Sequence, residues 1–502
     1  QRQMCIRDRT IRKENLFLQK VGNCEMDESL RERFKAEVRA MRAWTYLGMT
    51  MTFGKVPLIT EVLDYNSPNI PRDEVSVIRD FIMKELTEAA AILPEKYAGG
   101  YPNEKGRITK YACLSLKARA ALYFGDYALA ESTAKEVMDK GGFSLFKISS
   151  LSDAQKKEAE EMSLYIDFAE KGIDKDEFVK GMFNYEALWH TENANPDNPE
   201  YIMTRQYAAS SWDYQDMTRY TSMRPNQLGG WSSVTPTQNL VDAYWGVDGH
   251  SVPQLPTPEE RAKAYNQIKA DLDAYQKPEG EAKFIAFCQE KIKNGTLKDY
   301  KYIQEFRNRD SRMYVSILMP FKSWYESNYG DKFVYEWIKN GNNESKTGFN
   351  FRKMLSLEND ANGDGQATGD YPCIRYAEIL LIYAEAHTQT TGYDAATEAA
   401  LNQLRDRCGM PDVPSGLSKE EGLKLIQNER RIELAGEGFR GDDMTRYSDD
   451  YWKEHMNNVP IMTPDGDTEL TMKWSSRMRL KPIPQTAIDL NPLLAGDQNP
   501  GY

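Results

Sequence analysis

The chain has 502 residues, of which 40% are hydrophobic and 28% are charged, a composition that is ordinary for a globular protein. Its formal net charge of −12 argues against nucleic acid, which requires a basic surface, and against general attraction to anionic lipid headgroups. The 29 tyrosines, 18 phenylalanines and 9 tryptophans suit core packing or contact with the apolar faces of a ligand.

The N-terminal segment is unusual. "QRQMCIRDRT" lacks the apolar region of a signal peptide, and Cys5 lacks the apolar residues that would precede a lipid-acceptor cysteine. Either the chain is cytoplasmic or its true start is missing. We expect residues 1–27 to be an atypical segment and the helical scaffold to occupy 28–142, beginning with helices in 30–53 and 73–97.

A helical hairpin is predicted between residues 114 and 142. Leu114, Ala118 and Leu122 fall on one stripe at helical spacing. Gly125 interrupts the pattern, and a second stripe ends at 141–142, where two glycines allow a left-handed cap. The segment 376–409, "YAEILLIYAEAHTQTTGYDAATEAALNQLRDRCG", repeats this design with glycines at 392 and 409.

Two hairpins of this layout predict a mainly α fold with a tetratricopeptide-like scaffold, in which about 34 residues form one unit. The copies lie far apart in the sequence, so the array is interrupted. We expect one intertwined domain, with a loop-rich ligand-binding region of short helices over 143–370 and the C-terminal part of the scaffold over 371–502. Loops of this length inside a compact domain are usually functional.

A glycan site needs aromatic rings that cover the apolar face of a sugar and planar polar groups that satisfy its hydroxyls. Three loop clusters combine these residue types. The alternative for each ring is that it packs a loop onto the scaffold, and the pair 189–190 (Trp-His) fits either interpretation. The predicted ligand-binding residues are Trp212, Asp213, Tyr214, Arg224, Asn226, Trp231, Trp324 and Tyr325.

A calcium site is possible at "DANGDGQATGDY" (360–371). Asp360, Asn362 and Asp364 fit positions one, three and five of an EF-hand loop. Tyr371 stands at position twelve, where a bidentate Glu is required. The alternative is an Asn/Asp/Gly turn, and no other cofactor is predicted.

The stretch "ERRIELAGEGFRGDDMTRY" (429–447) is dense in charge. Glu429 and Glu433 lie on one face of a predicted helix, where pairs three and four residues apart contribute a few tenths of a kcal/mol. Glycoside hydrolysis would need carboxyls that face each other across a cleft, so we interpret these acids as structural. Glu378 and Glu385 are likewise expected to be inter-helix partners. GxSxG, HExxH and P-loop motifs are absent, which favours a protein that is not an enzyme.

Several segments occur in an order that resembles a known family. They are "RAWTYLGMTMTFGKVPLI" (42–59), "GRITKYACLSLKARAALYF" (106–124), "PTQNLVDAYWGVDG" (236–249), "NRDSRMY" (308–314), "IRYAEILLIYAEA" (374–386), "NERRIELAGEGFR" (428–440) and the final 480–502. Together they resemble the RagB/SusD family of surface glycan-binding lipoproteins.

The resemblance implies a SusD-like helical core and ligand binding without catalysis. It implies an oligosaccharide ligand and a SusC-like TonB-dependent transporter as partner. It also implies an outer-membrane, cell-surface location through a lipid anchor, so we expect the signal peptide to be missing here. Peptide capture by a member of the same family, a glycoside hydrolase and a scaffold that binds other proteins remain as alternatives.

Overall fold

The computed structural model describes residues 2–64, 67–97, 104–207, 223–325, 333–355 and 369–502, with side chains from residue 9 onward. Helices dominate the described chain, which confirms the mainly α prediction. Each helix among these residues is either too short or too polar to traverse a bilayer.

The N-terminal part of the scaffold is a series of long helices. Asp27, Thr109 and Asp126 cap three of them by accepting a backbone N–H of the first turn. Asn15 fastens the first helix, because its amide donates to the carbonyls of residues 59 and 61 and accepts from Arg42. Consecutive helices pack on each other; they are α1 (Arg2–Lys20), α2 (Glu28–Phe53), α3 (Val75–Ile92), α4 (Lys110–Tyr123) and α5 (Tyr127–Lys140).

The middle of the chain contains shorter elements. The helices are α6 (Asp153–Glu161), α7 (Phe168–Lys171), α8 (Lys175–Ala187), α9 (Gln238–Ala243), α10 (Pro258–Ala274), α11 (Lys283–Lys293), α12 (Lys301–Gln304) and α13 (Ser311–Ser316). The strands are β1 (Tyr201–Arg205), β2 (Ile317–Leu318), β3 (Ser323–Trp324), β4 (Phe333–Val334) and β5 (Asn350–Phe351).

The C-terminal part returns to the scaffold. It consists of β6 (Tyr371–Arg375), α14 (Tyr376–Thr390), α15 (Ala395–Arg407), α16 (Lys419–Glu433), α17 (Phe439–Arg446), α18 (Asp449–Met456), β7 (Val459–Met462), β8 (Thr468–Met472) and α19 (Gln485–Leu490). The described strands form antiparallel pairs, β1 with β6, β2 with β5, β3 with β4 and β7 with β8.

The two predicted hairpins, α4–α5 and α14–α15, lie side by side. Helix α14 packs against α5 on one side and against α15 and α16 on the others, so nearly its whole surface is buried. Gly142, Gly392 and Gly409 adopt positive φ angles at the helix ends, as the sequence predicts. The scaffold is therefore continuous in space although its sequence is interrupted.

Ion pairs between distant segments hold the core of this fold. Glu429 and Glu433 are fully buried, but their partners are not on their own helix. Arg312 contacts both carboxylates, at 2.7 and 3.0 Å. Arg405 pairs with Glu429 at 2.6 Å and Arg375 with Glu433 at 2.7 Å. The acids are structural, as predicted, but the expected pairing along the helix is wrong, because burial brings arginines from other elements to them.

These residues belong to a larger set that we call the central ion-pair cluster. Each member is buried, and the set is electrically neutral, which limits the cost of removing the charges from water. Its acids are Glu200, Asp310, Glu429, Glu433 and Glu437, and its bases are Arg312, Lys353, Arg375, Arg405 and Arg407.

The prediction of inter-helix partners for Glu378 and Glu385 is confirmed. Arg119 of α4 donates to both oxygens of Glu378, at 2.7 and 2.6 Å. Arg446 of α17 pairs in the same two-pronged way with Glu385. Such bidentate geometry is specific as well as strong, so it fixes how α14 sits against its neighbours.

A close crossing of α8 with the end of α15 positions α8. A Cβ atom on Gly181 would lie 2.1 Å from the backbone of residues 408 and 409, and one on Gly409 would lie 2.3 Å from the carbonyl oxygen of Glu177. Glycine is therefore required at both positions for the backbones to approach. The crossing fixes α8, whose C-terminal end leads into the cleft described below.

Candidate ligand-binding site

A polar cleft of about 310 Å³ opens between the start of α6 and the turn that follows α8. Its size lies at the lower end of the range for small-molecule sites. One of the predicted residues, Tyr325, lines it. The other lining residues are Ile148, Ser150, Leu151, Ser152, Ala154, Gln155, Glu186, Ala187, His190, Glu192 and Asn193.

Side-chain hydrogen bonds shape both walls of the cleft. On one wall, Ser152 accepts the backbone N–H of Gln155, and the Gln155 side chain accepts the N–H of Ser152, so α6 begins with a capping box. On the other wall, the Asn193 amide donates to the carbonyl of Ala187 at 2.8 Å. Hydrogen bonds within the protein therefore fix the conformation of both walls.

Beneath the cleft lies a buried group that we call the floor cluster: Glu158, Glu186, Lys322 and Arg352. Arg352 donates to both oxygens of Glu158, at 2.6 and 2.9 Å, and through Nε to Glu186 at 2.7 Å. Lys322 donates to Glu158 at 2.6 Å. Burial alone would raise the pKa of Glu158, but the charges of Arg352 and Lys322 hold it below its usual value.

Tyr325 is tied to this floor. Its backbone N–H points at Glu158 over 3.4 Å and its hydroxyl donates to Glu161 at 2.5 Å. Burial, followed by the bond to Glu161, raises the pKa of the phenol far above its usual value, so the ring stays neutral. A neutral, half-buried ring at the edge of a polar cleft can cover the apolar face of a sugar.

The two acids that line the cleft, Glu186 and Glu192, are not arranged to donate a proton. The nearby His190, whose Nδ1 lies 3.6 Å from the carboxylate, is the largest influence on Glu192 and lowers its pKa, so this carboxylate is ionised at neutral pH. Glu186 is held by Arg352. A retaining or inverting glycosidase needs one protonated carboxyl opposite an ionised one, and these two acids do not supply that combination.

Tyr207 and Asp370 meet beside the cleft. The backbone N–H of Tyr207 donates to the carboxylate of Asp370 at 3.2 Å, and the N–H of Asp370 donates to the carbonyl of Ala194 at 2.7 Å. Ala194 follows the turn that lines the cleft.

The second predicted cluster forms a compact loop. The carbonyl of Pro225 accepts from the N–H groups of residues 228 and 230, and the carbonyl of Arg224 accepts from residue 232. Trp231 is 51% exposed and Asn226 is also exposed, so both can reach a ligand. Arg224 is 2% exposed, which corrects its expected role, because its side chain belongs to the interior.

Trp324 also departs from the expectation. Its ring is 1% exposed, packs edge-on against Phe333 and lies 4.9 Å from the guanidinium of Arg352. It therefore packs the loop onto the interior, the alternative that the sequence left open, and offers no face to a ligand. Its neighbour Tyr325 lines the cleft instead.

The remaining predicted residues lie outside the described part of the chain. They are Trp212, Asp213 and Tyr214 and the calcium candidates Asp360, Asn362 and Asp364. Within the described ranges, no three His, Cys, Asp or Glu side chains come together in a way that could hold a metal ion.

The model of the SusD family matches residues 199–502. The chain belongs to the SusD family. The resemblance found in the sequence is thereby confirmed.

Three similar proteins extend the comparison over almost the whole SusD-like chain. SusD-like protein P38 of Formosa agariphila is 22% identical over 447 residues, which are 86% of this chain and 69% of that protein. A SusD-like protein of Bacteroides fragilis superposes with a TM-score of 0.73 at 26% identity, covering 98% of this chain and 84% of the other. A SusD-like carbohydrate-binding protein of the same species gives 0.65 at 22%, covering 96% and 83%. The SusD-like helical scaffold is thus confirmed.

Sequence reasoning missed most of the residues that line the cleft of this SusD-family chain. Gln155, Glu192 and Asn193 stand in polar segments without a motif, and His190 was undecided. The signal that could have found them is the turn-rich run "NANPDNPEY" (193–201), whose Asn and Asp residues build the wall through local hydrogen bonds.

Proposed function

We propose that this SusD-family chain captures an oligosaccharide without altering it and delivers it to a SusC-like TonB-dependent transporter in the outer membrane. In this proposal the full-length protein is held at the cell surface by a lipid anchor. The observation that carries it is the pre-formed polar cleft with Tyr325 at its edge, on a scaffold similar to that of a SusD-like carbohydrate-binding protein.

The chemistry of the cleft supports binding in preference to hydrolysis. Ser152, Asn193, His190 and Glu192 provide donors and acceptors for hydroxyl groups, and Tyr325 provides an apolar face. Because Glu192 is ionised and Glu186 is committed to Arg352, no described acid of the cleft is set up to protonate a glycosidic oxygen. Binding through one ring and a few hydrogen bonds favours modest affinity and ready release to a partner.

The test is a glycan-array screen of the purified chain, followed by calorimetric titration of the best oligosaccharide. Tyr325→Ala should weaken binding by about tenfold, since an aromatic contact and its buried area contribute on the order of 1.4 kcal/mol. Tyr300→Ala is the matched control: Tyr300 is also half-buried and donates its hydroxyl to a carboxylate, that of Asp271 at 2.9 Å, but it does not line the cleft.

The same samples should be incubated with the ligand and examined for products. Binding with no cleavage supports the proposal. Turnover that disappears when Glu186 or Glu192 is replaced by glutamine would instead establish a hydrolase. If peptides bind and compete at the cleft while no glycan does, the peptide-capturing alternative replaces the glycan proposal.

A further inference from the structure

A second cavity lies between the β7–β8 hairpin and helices α9 and α10, and we call it the hairpin pocket. Its volume of about 160 Å³ is close to that of an engineered cavity of about 150 Å³ that binds benzene, so it has room for one six-membered ring. One wall is apolar and is formed mainly by Val459, Pro460, Met462 and Pro464. The other wall is polar and is formed mainly by side chains of α9, α10 and α12 and of the residue that follows α12. Among the described residues, the hairpin pocket and the cleft beside Tyr325 have no lining residue in common.

Contacts on the turn of the hairpin hold the apolar wall against the rest of the protein. Nζ of Lys339 lies 2.5 Å from the carboxylate of Asp465 and 2.7 Å from that of Asp467. A Cβ atom on Gly348 would lie 2.1 Å from Cγ of Pro464, and only glycine permits so close an approach at a φ of +79°. The position of the apolar wall is therefore set by the fold.

Hydrogen bonds within the polar wall use only one oxygen of each of its two carboxylates. Gln238 donates to Oδ1 of Asp242 at 2.8 Å and to Oε1 of Glu305 at 3.0 Å. Arg261 donates to the same two oxygens, at 2.9 and 2.6 Å. In the described chain no donor reaches Oε2 of Glu305, although this side chain is only 3% exposed. A buried carboxyl that is held at one oxygen and open at the other is set to accept a hydrogen bond from a ligand.

Tyr302 of α12 brings a second buried polar group to the same wall. The residue is 3% exposed and lines the hairpin pocket. Its hydroxyl has no hydrogen-bond partner among the residues that the structure describes. An unpaired buried hydroxyl costs free energy, which a ligand recovers by bonding to it. Tyr302 and Glu305 are therefore two separate buried groups that indicate a ligand.

Within the described chain, the hydrogen-bonding groups that the polar wall leaves unused are of both kinds. Oδ2 of Asp242 and Oε2 of Glu305 are acceptors. Nη1 of Arg261 and Nδ2 of Asn239 are donors, and the hydroxyl of Tyr302 is both. An ion of one sign would use one kind only, whereas hydroxyl groups donate and accept at once. The set therefore matches a polyhydroxylated ligand.

The charges of this wall also favour a neutral ligand. Arg261 lies 2.9 Å from Asp242 and 2.6 Å from Glu305. Burial raises the pKa of Glu305 to about 7 against the attraction of Arg261, so near neutral pH this carboxyl is partly protonated and can donate as well as accept. The three side chains thus carry little net charge together.

We propose that the hairpin pocket binds one neutral polyhydroxylated six-membered ring, either a free monosaccharide or the non-reducing end of an oligosaccharide. The apolar wall covers the C–H face of the ring, and Asp242, Glu305 and Tyr302 bond to its hydroxyl groups. This second binding site is separate from the cleft, and it stands whether or not the cleft captures a glycan.

Ligand-observed NMR titrations of the full chain test the proposal, with D-glucose, D-galactose, D-mannose and N-acetyl-D-glucosamine as probes. At least one of these sugars is expected to bind saturably. Methyl glycosides of the sugar that binds then separate the two sources, because their anomeric oxygen is substituted as it is at the end of a chain. Binding of either anomer as tight as that of the free sugar identifies the end of an oligosaccharide, and weaker binding of both identifies the free monosaccharide.

Tyr302→Phe should weaken this binding by roughly three- to tenfold, as expected for the loss of one hydrogen bond. Its unfolding curve should stay close to that of wild type, because the hydroxyl has no described partner to lose. The matched control is Tyr244→Phe, which removes a hydroxyl from a fully buried tyrosine that does not line the pocket. Met462→Trp puts a larger side chain into the apolar wall and should abolish binding, whereas Met478→Trp, at a position that is 44% exposed and outside the pocket, should not.

Tyr325→Ala distinguishes this site from the cleft. It should leave unchanged the ring binding that Tyr302→Phe weakens, even if it abolishes the capture of longer glycans. The proposal is overturned if none of the four sugars binds saturably, or if Tyr302→Phe and Met462→Trp bind like their controls. It is also overturned if Tyr325→Ala, and not these variants, removes the binding. If Met462→Trp does not fold, Tyr302→Phe with Tyr244→Phe decides the matter.

Discussion

Replacing Glu433 by glutamine tests whether the dense charge of residues 429–447 is structural. This carboxylate is fully buried and contacts Arg312, Arg375 and Arg407. Burial would raise its pKa, but the charges of Arg407, Arg375 and Arg312 hold it well below its usual value. The substitution keeps the size of the side chain and removes its charge, so the neutral central ion-pair cluster acquires one uncompensated positive charge.

The expected cost is large because the site is dry. Removing one partner of a buried ion pair destabilises a protein by about 3–5 kcal/mol, a large part of the 5–15 kcal/mol typical of a folded domain. The matched control is Glu420→Gln on the same helix, α16. The Glu420 side chain is 81% exposed and pairs with Lys424 one turn away, so its loss should cost no more than about 0.5 kcal/mol.

The assay is urea unfolding at pH 7 followed by circular dichroism, with glycan binding measured on the same samples. Glu433→Gln should lower the unfolding midpoint strongly, with Glu420→Gln near wild type, and the folded fraction of Glu433→Gln should still bind. A Glu433→Gln protein as stable as wild type, but inactive in an activity that wild type shows, would refute the structural interpretation.

Two further predictions concern helix junctions. His387 contacts Glu131 at 2.8 Å and Asp394 at 3.1 Å; burial opposes its charge, but these acids raise its pKa overall. The stabilisation that protonated His387 contributes should therefore be complete below pH 6.5 and be lost as the pH rises through the folded pKa. The free energy of unfolding of His387→Gln should lack this dependence on pH. If wild type and His387→Gln show the same dependence, His387 does not cause it. Gly409→Ala should destabilise the protein by about 1–3 kcal/mol or more, since φ is +64° and the new Cβ would meet the carbonyl of Glu177. The control is Gly441→Ala, because a Cβ at Gly441 has no neighbour within 4 Å. A thermal midpoint for Gly409→Ala at or above that of Gly441→Ala would show that the crossing tolerates a side chain.

The sequence was sufficient to predict the helices but not their charged contacts. Apolar residues at helical spacing, such as Leu114, Ala118 and Leu122, and the glycines that end the helices reflect local backbone preferences, which a short segment of sequence contains in full. The partners of Glu433 could not be read in this way, because Arg312 lies 121 residues earlier in the chain and no periodicity links the two. The tertiary fold decides which arginine meets which acid.

In the candidate site, too, local sequence predicts which residues lie on loops but not which of their side chains the tertiary fold buries. Trp231 is exposed on its loop, where it can serve the predicted role. The sequence, however, assigns that same role to two adjacent residues, Trp324 and Tyr325. Successive side chains of an extended segment point to opposite sides, so Trp324 enters the interior while Tyr325 faces the cleft. Without knowing which side of β3 is covered, the sequence cannot assign the two rings.

The buried ion pairs also explain how a loop-rich insertion can present a fixed binding surface. Loops bury little apolar area and are therefore mobile unless other contacts hold them. Here the floor cluster joins α6, α8 and the chain after β5, because all three guanidinium nitrogens of Arg352 donate to Glu158 or Glu186. An arginine held by two carboxylates fixes direction as well as distance. Tyr325 and the walls of the cleft contact this group, so the interior sets the geometry of the cleft. Under the proposed function, little of the binding energy would then be spent on ordering the surface.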